Sequence, residues 1–412
     1  MSKSDKDGFT TGNLHNDRRD KPEHGVLHKA IHTSVAYSYD DARDLAKVFQ
    51  GKMPGYNYGR QQNPTVNALQ SRITRMEGGL TSTAFATGMA AVGSTLFALL
   101  RAGDHVVCSA FLFGNTNSLM NTFRNFGIEV SFVDTTNADN VNAALQDNTR
   151  LVFTETIANP VTQVADLEGI GELCKQYKLI YVVDNTMTSP WLFQPRTVHA
   201  SFVVNSLTKY IGGHGNALGG MLTDTGLFDW TGFPNILDLY KQGDPAMWGS
   251  TQVRKKGLRD FGATLGPEAA HHLAVGSETL PMRMDRASQN AQQLAEFCQA
   301  HPQVKRVFFP GLSSHPQYDR AKRLFKKPGA IMSIELADDV DCFDFLNKLR
   351  CVVTSSNLGD TRTLAIPVAH TIFYEMGAER RASMGIGDNL IRLSVGIEDI
   401  EDLLADFAQA LA

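Results

Sequence analysis

The chain is poor in the features that announce several common protein classes. Its five cysteines, at positions 108, 174, 298, 342 and 351, form no C-x-x-C pair. Neither a zinc site nor a disulfide framework is therefore encoded, and reduced, partly buried thiols of a cytosolic protein are expected. An excess of one charge is missing too. The 39 Lys and Arg against 43 Asp and Glu leave a net charge of −4, which gives no basic footprint for DNA or RNA. No apolar run approaches the ~18 residues that cross a membrane. The greasiest stretch, Met89 to Leu100, is shorter and Ala-rich. The opening MSKSDKDGFTTGNLHNDRRDKPEHG has no apolar core and does not read as a secretory signal. No G-x-x-x-x-G-K-[ST] occurs, so an NTPase phosphate loop is unsupported.

What is present is enough chain, 412 residues, for two or three packed domains. The first 25 or so residues are polar and charged, and mobility is expected of them. Residues 26–65 are rich in Tyr, Gly, Gln and Asn with little periodicity, and read as an arm that gains order against a second subunit. Val66, Leu69, Ile73 and Met76 then recur at helical spacing up to Gly78-Gly79. Beyond them β-like runs (82–86, 105–109, 129–133, 151–155, 180–183, 202–204 and 219–222) alternate with helical segments (87–100, 115–126, 138–146 and 167–177). That alternation predicts an α/β fold with a mainly parallel sheet of seven strands, covered by helices on both faces. Residues 225–262 show no clear period. One long helical pattern runs from Pro267 to His301. Short strands near 304–309, 330–336, 352–355 and 391–395, with helices near 340–349 and 399–411, predict a smaller C-terminal α+β domain. The implied organisation is an arm over 1–65, a large domain over 66–262 and a small domain over 263–412.

Chemistry is expected just past the carboxyl ends of such strands. Asp184 ends the apolar run Ile180-Tyr181-Val182-Val183, and Lys209 lies in Ser206-Leu207-Thr208-Lys209-Tyr210. A lysine between hydroxyls, downstream of a strand-end aspartate, suits pyridoxal phosphate (PLP). The amine can condense with the aldehyde, the hydroxyls can bond the phosphate, and the carboxylate can keep the pyridine nitrogen protonated. Thr87-Gly88-Met89 opens a helix after a β-like run, where free N–H groups attract an anion. Arg392, inside Leu390-Ile391-Arg392-Leu393-Ser394, would need an anion if buried, and its planar fork suits a carboxylate. Each feature alone has a plainer reading, as a turn, a helix cap or a solvated side chain. Gly212 to Gly220 is not a dinucleotide fingerprint, because Leu218 stands where the third glycine is needed. His271 and His272 are adjacent in a helical pattern and face different directions, so they are poor co-ligands.

These pieces occur together in one order. With Tyr56-Asn57-Tyr58-Gly59-Arg60, Asn63-Pro64-Thr65, Glu77-Gly78-Gly79, Thr87-Gly88-Met89, Glu155-Thr156 with Asn159-Pro160, Val183-Asp184-Asn185-Thr186, Ser206–Tyr210 and Leu390–Gly396, the chain resembles the PLP-dependent Cys/Met-metabolism (trans-sulfuration) family from about residue 30 onward. The resemblance implies a fold-type I PLP-dependent transferase that acts on a small amino-acid substrate and a sulfur nucleophile. It implies a cytoplasmic homo-oligomer with shared active sites, a dimer or a tetramer. It further implies Lys209 as the cofactor-attaching, proton-shuttling lysine and Asp184 as the partner of the pyridine nitrogen. Gly88, Met89, Ser206 and Thr208 match the phosphate ligands. Tyr58 and Arg60 match phosphate contacts given to a neighbouring subunit. Arg392 matches the clamp on the substrate carboxylate, and Asn159 a group near it.

Three departures shape the expected activity. Phe113 stands where many members have tyrosine, so it can stack but has no hydroxyl, and acid/base work there falls to Tyr58 or Lys209. Asn115 replaces the cysteine typical of methionine γ-lyases. Ser356 replaces a glutamate found in several enzymes that handle cystathionine. The runs Phe113–Thr116 and Asn357–Thr361 most resemble O-acylhomoserine sulfhydrylases, so γ-replacement on an O-acylhomoserine by sulfide or a thiol is expected, as in a sulfhydrylase or a cystathionine γ-synthase. A C–S lyase using the same site, or a PLP- or nucleotide-binding protein without turnover, are the alternatives.

Overall fold

The computed structural model of the chain describes residues 7–19 and 23–412, apart from the side chains of Glu23 and Ser383. Seven strands form the large sheet: β1 Thr81–Phe85, β2 His105–Ser109, β3 Glu129–Val133, β4 Thr149–Glu155, β5 Ile180–Asp184, β6 Phe202–Ser206 and β7 Gly220–Asp224. Their order is β1-β7-β6-β5-β4-β2-β3. The pairings from β3 to β6 are parallel, while β7 runs antiparallel to both β6 and β1. The apolar runs of β2, β4, β5 and β6 are buried on both faces, as expected of parallel strands covered by helices. Alternate residues enter different cores. Val106, Cys108, Phe153 and Val182 pack with the helix Gly88–Leu99 and with Trp230, whereas Val107, Val152, Tyr181 and Val183 pack with Ile170 and Cys174 of the helix Leu167–Tyr177.

Local signals set the edges of these elements. In the helix Pro64–Glu77, Asn63 Oδ1 accepts from the N–H groups of Thr65 and Val66, proline occupies the first turn, and Gly78 ends it at φ +62°. Its buried Leu69, Ile73 and Met76 face a third core, each contributing about 1.5–3 kcal/mol. That core also takes Leu273, Met284, Ile331 and Leu358, so it joins the sheet to the C-terminal part.

A second sheet of five strands lies there: β8 Val304–Phe308, β9 Ile331–Leu336, β10 Val353–Thr354, β11 Leu364–Pro367 and β12 Leu390–Ser394, in the order β10-β11-β12-β9-β8. Arg392 sits in its middle, opposite Ser333 of β9 and Ile366 of β11. Among the described residues no helix is long and apolar enough to cross a membrane.

Four expectations need correction. Part of the N-terminal segment is packed rather than mobile. Asn13 is buried and donates to the Ser277 carbonyl at 2.7 Å, and Asp17 pairs with the buried Arg72 at 3.0 Å. Its polar residues find partners, which composition alone does not reveal; residues 1–6 and 20–22 lie outside the description. The pattern over 267–301 is two helices, Pro267–Ser277 and Leu280–Ala300, with Pro281 in the first turn of the second. The arm contains a helix, Ala42–Phe49, capped by Asp41, and β11 was not anticipated as a strand.

Candidate active site

The carboxyl ends of β4, β5 and β6 bring Glu155, Asp184 and Ser206 to the rim of one cavity of about 390 Å³. Gly88 and Met89, the first residues of their helix, line it, as do Phe113, Asn115 and Asn159. Thr208 and Lys209 follow β6, and Ser356 and Arg392 reach in from the five-stranded region. Of the residues singled out from the sequence, Tyr58 and Arg60 alone lie elsewhere. Both are exposed on the arm, where the Arg60 guanidinium sits 5.5 Å from the Tyr58 ring centroid and donates to the Arg259 carbonyl.

Each wall is built for close approach. Thr87 caps the helix by accepting from Ala90 N–H at 3.0 Å, which leaves the helix start open at Gly88 and Met89. A side chain at Gly88 would place Cβ 2.9 Å from Ser206 Cβ, and one at Gly220 would fall 2.1 Å from the Thr87 carbonyl oxygen. Glycine at both positions lets β6, β7 and the helix N-terminus converge. Thr208 Oγ1 accepts from Gly219 N–H at 3.0 Å, tying the lysine segment to the strand that follows.

Two carboxylates lie side by side. Glu155 and Asp184 are register partners on parallel β4 and β5. Burial raises the pKa of both, and the Asp184 charge raises Glu155 further. Asp184 Oδ1 accepts from Thr186 N–H at 2.9 Å, which favours its ionised form. Glu155 accepts from Phe113 N–H at 2.8 Å and leaves Oε2 buried without a partner. The shared proton therefore belongs on Glu155 and the charge on Asp184. In the sequence Glu155 stands out only as part of the pair Glu155-Thr156. Its pairing with Asp184 depends on register between strands, which a linear pattern does not display.

Two cations complete the site. Arg392 is 1% exposed, and Nη2 donates to the carbonyls of Asn357 at 2.7 Å and Ser356 at 3.3 Å, while Nε has no partner. Burial pushes its pKa down to about 10. Burial, and then the Arg392 charge, lowers Lys209 to about 8. Lys209 Nζ donates to Asn357 Oδ1 at 2.8 Å. Asn159 is buried with both polar side-chain atoms unpartnered. A buried arginine edge and an unsatisfied amide bordering one cavity mark a place made for a polar guest.

A sequence-family profile described as "Cys/Met metabolism PLP-dependent enzyme" matches residues 10–412. The chain belongs to that family. It is 38% identical over 393 residues to an L-methionine gamma-lyase of Fusobacterium nucleatum subsp. polymorphum, with 94% of each chain covered. It is 36% identical to an O-succinylhomoserine sulfhydrylase of Pseudomonas aeruginosa, over 96% of this chain and 92% of that one. The fold superposes with a TM-score of 0.93 on a putative O-acetylhomoserine (thiol)-lyase of Campylobacter jejuni, solved with N'-pyridoxyl-lysine-5'-monophosphate, at 31% identity over 98% of this chain and all of the other. The Cys/Met-metabolism enzyme described here is thus PLP-dependent and has the fold-type I architecture. Its relatives carry both sulfhydrylase and lyase names.

Proposed function

We propose that the chain catalyses γ-replacement on an O-acylhomoserine, joining sulfide or a small thiol to Cγ. The observation that carries this reading is the uncharged far side of the cavity. Besides Asp184, Glu155, Lys209 and Arg392, the lining consists of neutral groups such as Phe113, Asn115, Leu218, Ser356 and Ile372. A distal ammonium such as that of cystathionine would enter with no spare carboxylate to meet it, a poor match on desolvation grounds. An acyl ester and a small sulfur nucleophile bring no such demand. The names of the sulfhydrylase relatives agree with it.

The residues present suit PLP. The open helix start at Gly88 and Met89, with Ser206 and Thr208, offers donors for its phosphate. Asp184, kept ionised by Thr186, suits its ring nitrogen, and Phe113 offers a face for stacking. When bound, the cofactor supplies an electron sink that makes the substrate Cα proton acidic. Arg392 holds the substrate carboxylate through its free guanidinium edge, and Asn159 adds an amide beside it. Lys209, released as an amine of low pKa, takes the Cα proton and later one from Cβ. Cγ–O cleavage then expels the acyl group as a carboxylate, sulfur gives up its proton as it forms the new Cγ bond, and Lys209 returns protons to Cβ and Cα. Tyr58 and Arg60 of a neighbouring copy complete the phosphate site in a homo-oligomer.

A second reading, elimination of a thiol from methionine, is favoured by the 38% identity to a methionine gamma-lyase; a neutral cavity also accepts a thioether. Purified protein is to be offered O-acetyl- or O-succinylhomoserine with sulfide and, separately, methionine and cystathionine. The proposal expects homocysteine from the first mixture at the highest kcat/KM. Turnover of the lyase substrates alone would sink it.

A further inference from the structure

The loop 355–361 makes a contact that the proposed reaction does not yet use. Asn357 meets both cations of the cavity with different atoms: its side-chain Oδ1 accepts from Lys209 Nζ at 2.8 Å, and its backbone carbonyl accepts from Arg392 Nη2 at 2.7 Å. The loop that presents it is fixed. Gly359 N–H donates to Ser394 Oγ of β12 at 2.8 Å. Gly359 lies at φ +75°, and a Cβ there would stand 2.5 Å from Tyr210 N and 2.8 Å from Lys209 C. Only glycine lets the loop rest on the backbone of the lysine itself.

We propose that Asn357 is a positioning residue that receives the Lys209 amine whenever it is unattached; this rests on the reading of Lys209 as the proton carrier. An amine that donates one N–H to a fixed amide oxygen keeps its lone pair turned away from that oxygen, toward the cavity where a substrate proton would be. The same bond restricts a long side chain whose rotamers would otherwise scatter. The charged groups that line the cavity with the amine are Arg392 from β12, Asp184 from β5 and Glu155 from β4; the loop itself carries one more carboxylate, Asp360. Arg362 already engages Asp360 at 2.7 and 3.0 Å. Asn357 is therefore the neutral acceptor among them. Because Arg392 is bonded to the backbone of Asn357, side-chain substitutions separate the lysine contact from the carboxylate clamp.

The test uses the full-length protein with Asn357→Ala and Asn357→Asp. In the cofactor-stripped form, the pH dependence of Lys209 acylation is followed by peptide mass spectrometry. A carboxylate in place of the amide raises the pH of half-reaction by about one unit or more, and alanine, which removes an acceptor that favours the ammonium, lowers it. In the loaded form, Asn357→Ala lowers kcat on the order of tenfold, with KM within about twofold because the carboxylate clamp is untouched. Coincident acylation profiles in all three proteins, or a KM rise as large as the kcat loss, would overturn the inference. Lys209→Ala separates the two failures. Full turnover in that variant sinks the reading of Lys209, whereas lost turnover beside wild-type behaviour of the Asn357 variants sinks only the role of Asn357.

Discussion

Replacing Arg392 by methionine should abolish efficient turnover and yet leave the free protein as stable as before, or more so. The guanidinium is 1% exposed and forms no ion pair among the described residues. Holding its pKa near 10 corresponds to about 3 kcal/mol of disfavoured charge. Against that stand two hydrogen bonds to the carbonyls of Asn357 and Ser356. Ser356 is exposed, so its carbonyl can exchange the lost donor for water. Methionine is flexible and fills irregular space without charge. The balance favours Arg392→Met by on the order of 1–2 kcal/mol in the free protein. Turnover moves the other way. A fork on a substrate carboxylate makes two charge-assisted bonds of about 1.5–3 kcal/mol each. Their loss lowers kcat/KM roughly 10²- to 10⁴-fold. Urea unfolding of the cofactor-free protein and steady-state kinetics of the loaded one measure the two sides. A variant destabilised by more than about 2 kcal/mol that kept kcat/KM within about tenfold of wild type would refute the reasoning and make Arg392 a structural residue.

Other consequences can be measured alongside. Glu77 is fully buried and accepts from Asn185 at 3.0 Å and Asn205 at 2.6 Å, and burial raises its pKa to about 7. A carboxyl whose folded pKa is raised contributes stability at low pH that is lost as pH climbs from its unfolded value, about 4.5, through 7. Wild type should lose about 3 kcal/mol over that window, while Glu77→Gln, which keeps the acceptor oxygen, should show a flatter dependence in chemical denaturation; equal slopes would contradict this. Gly88→Ala puts a methyl 2.9 Å from Ser206 Cβ at the proposed phosphate cradle. It should weaken PLP binding in equilibrium dialysis by roughly 10- to 100-fold, with little change in secondary structure.

Lys209, Asp184 and Arg392 were legible because each follows from a local rule. Two lie just past apolar strands, where a parallel sheet presents ligands, and the third is a charge set in an apolar strand. The sheet was legible for the same reason, since β4, β5 and β6 each contain a run of three or four apolar residues (Leu151–Phe153, Ile180–Val183 and Phe202–Val204). Glu155 and Asn357 were not, because their roles depend on partners supplied by the fold. Glu155 meets Asp184 by strand register, and Asn357 meets Lys209 across 148 positions. The N-terminal segment misled because polar residues read as solvated, and here Asn13 is buried against Ser277 and the Asp17 side chain is shielded by its pair with Arg72. The break between the helices ending at Ser277 and starting at Leu280 left one clue, Pro281, which helical periodicity overrode.

The central claim is that Lys209 carries the cofactor and moves the protons. Borohydride reduction of the PLP-loaded protein, followed by peptide mapping, tests it most directly. The account predicts a phosphopyridoxyl group on the peptide containing Ser206-Leu207-Thr208-Lys209-Tyr210 and none on Lys209→Ala. Labelling at another lysine, or undiminished labelling of Lys209→Ala, would contradict it.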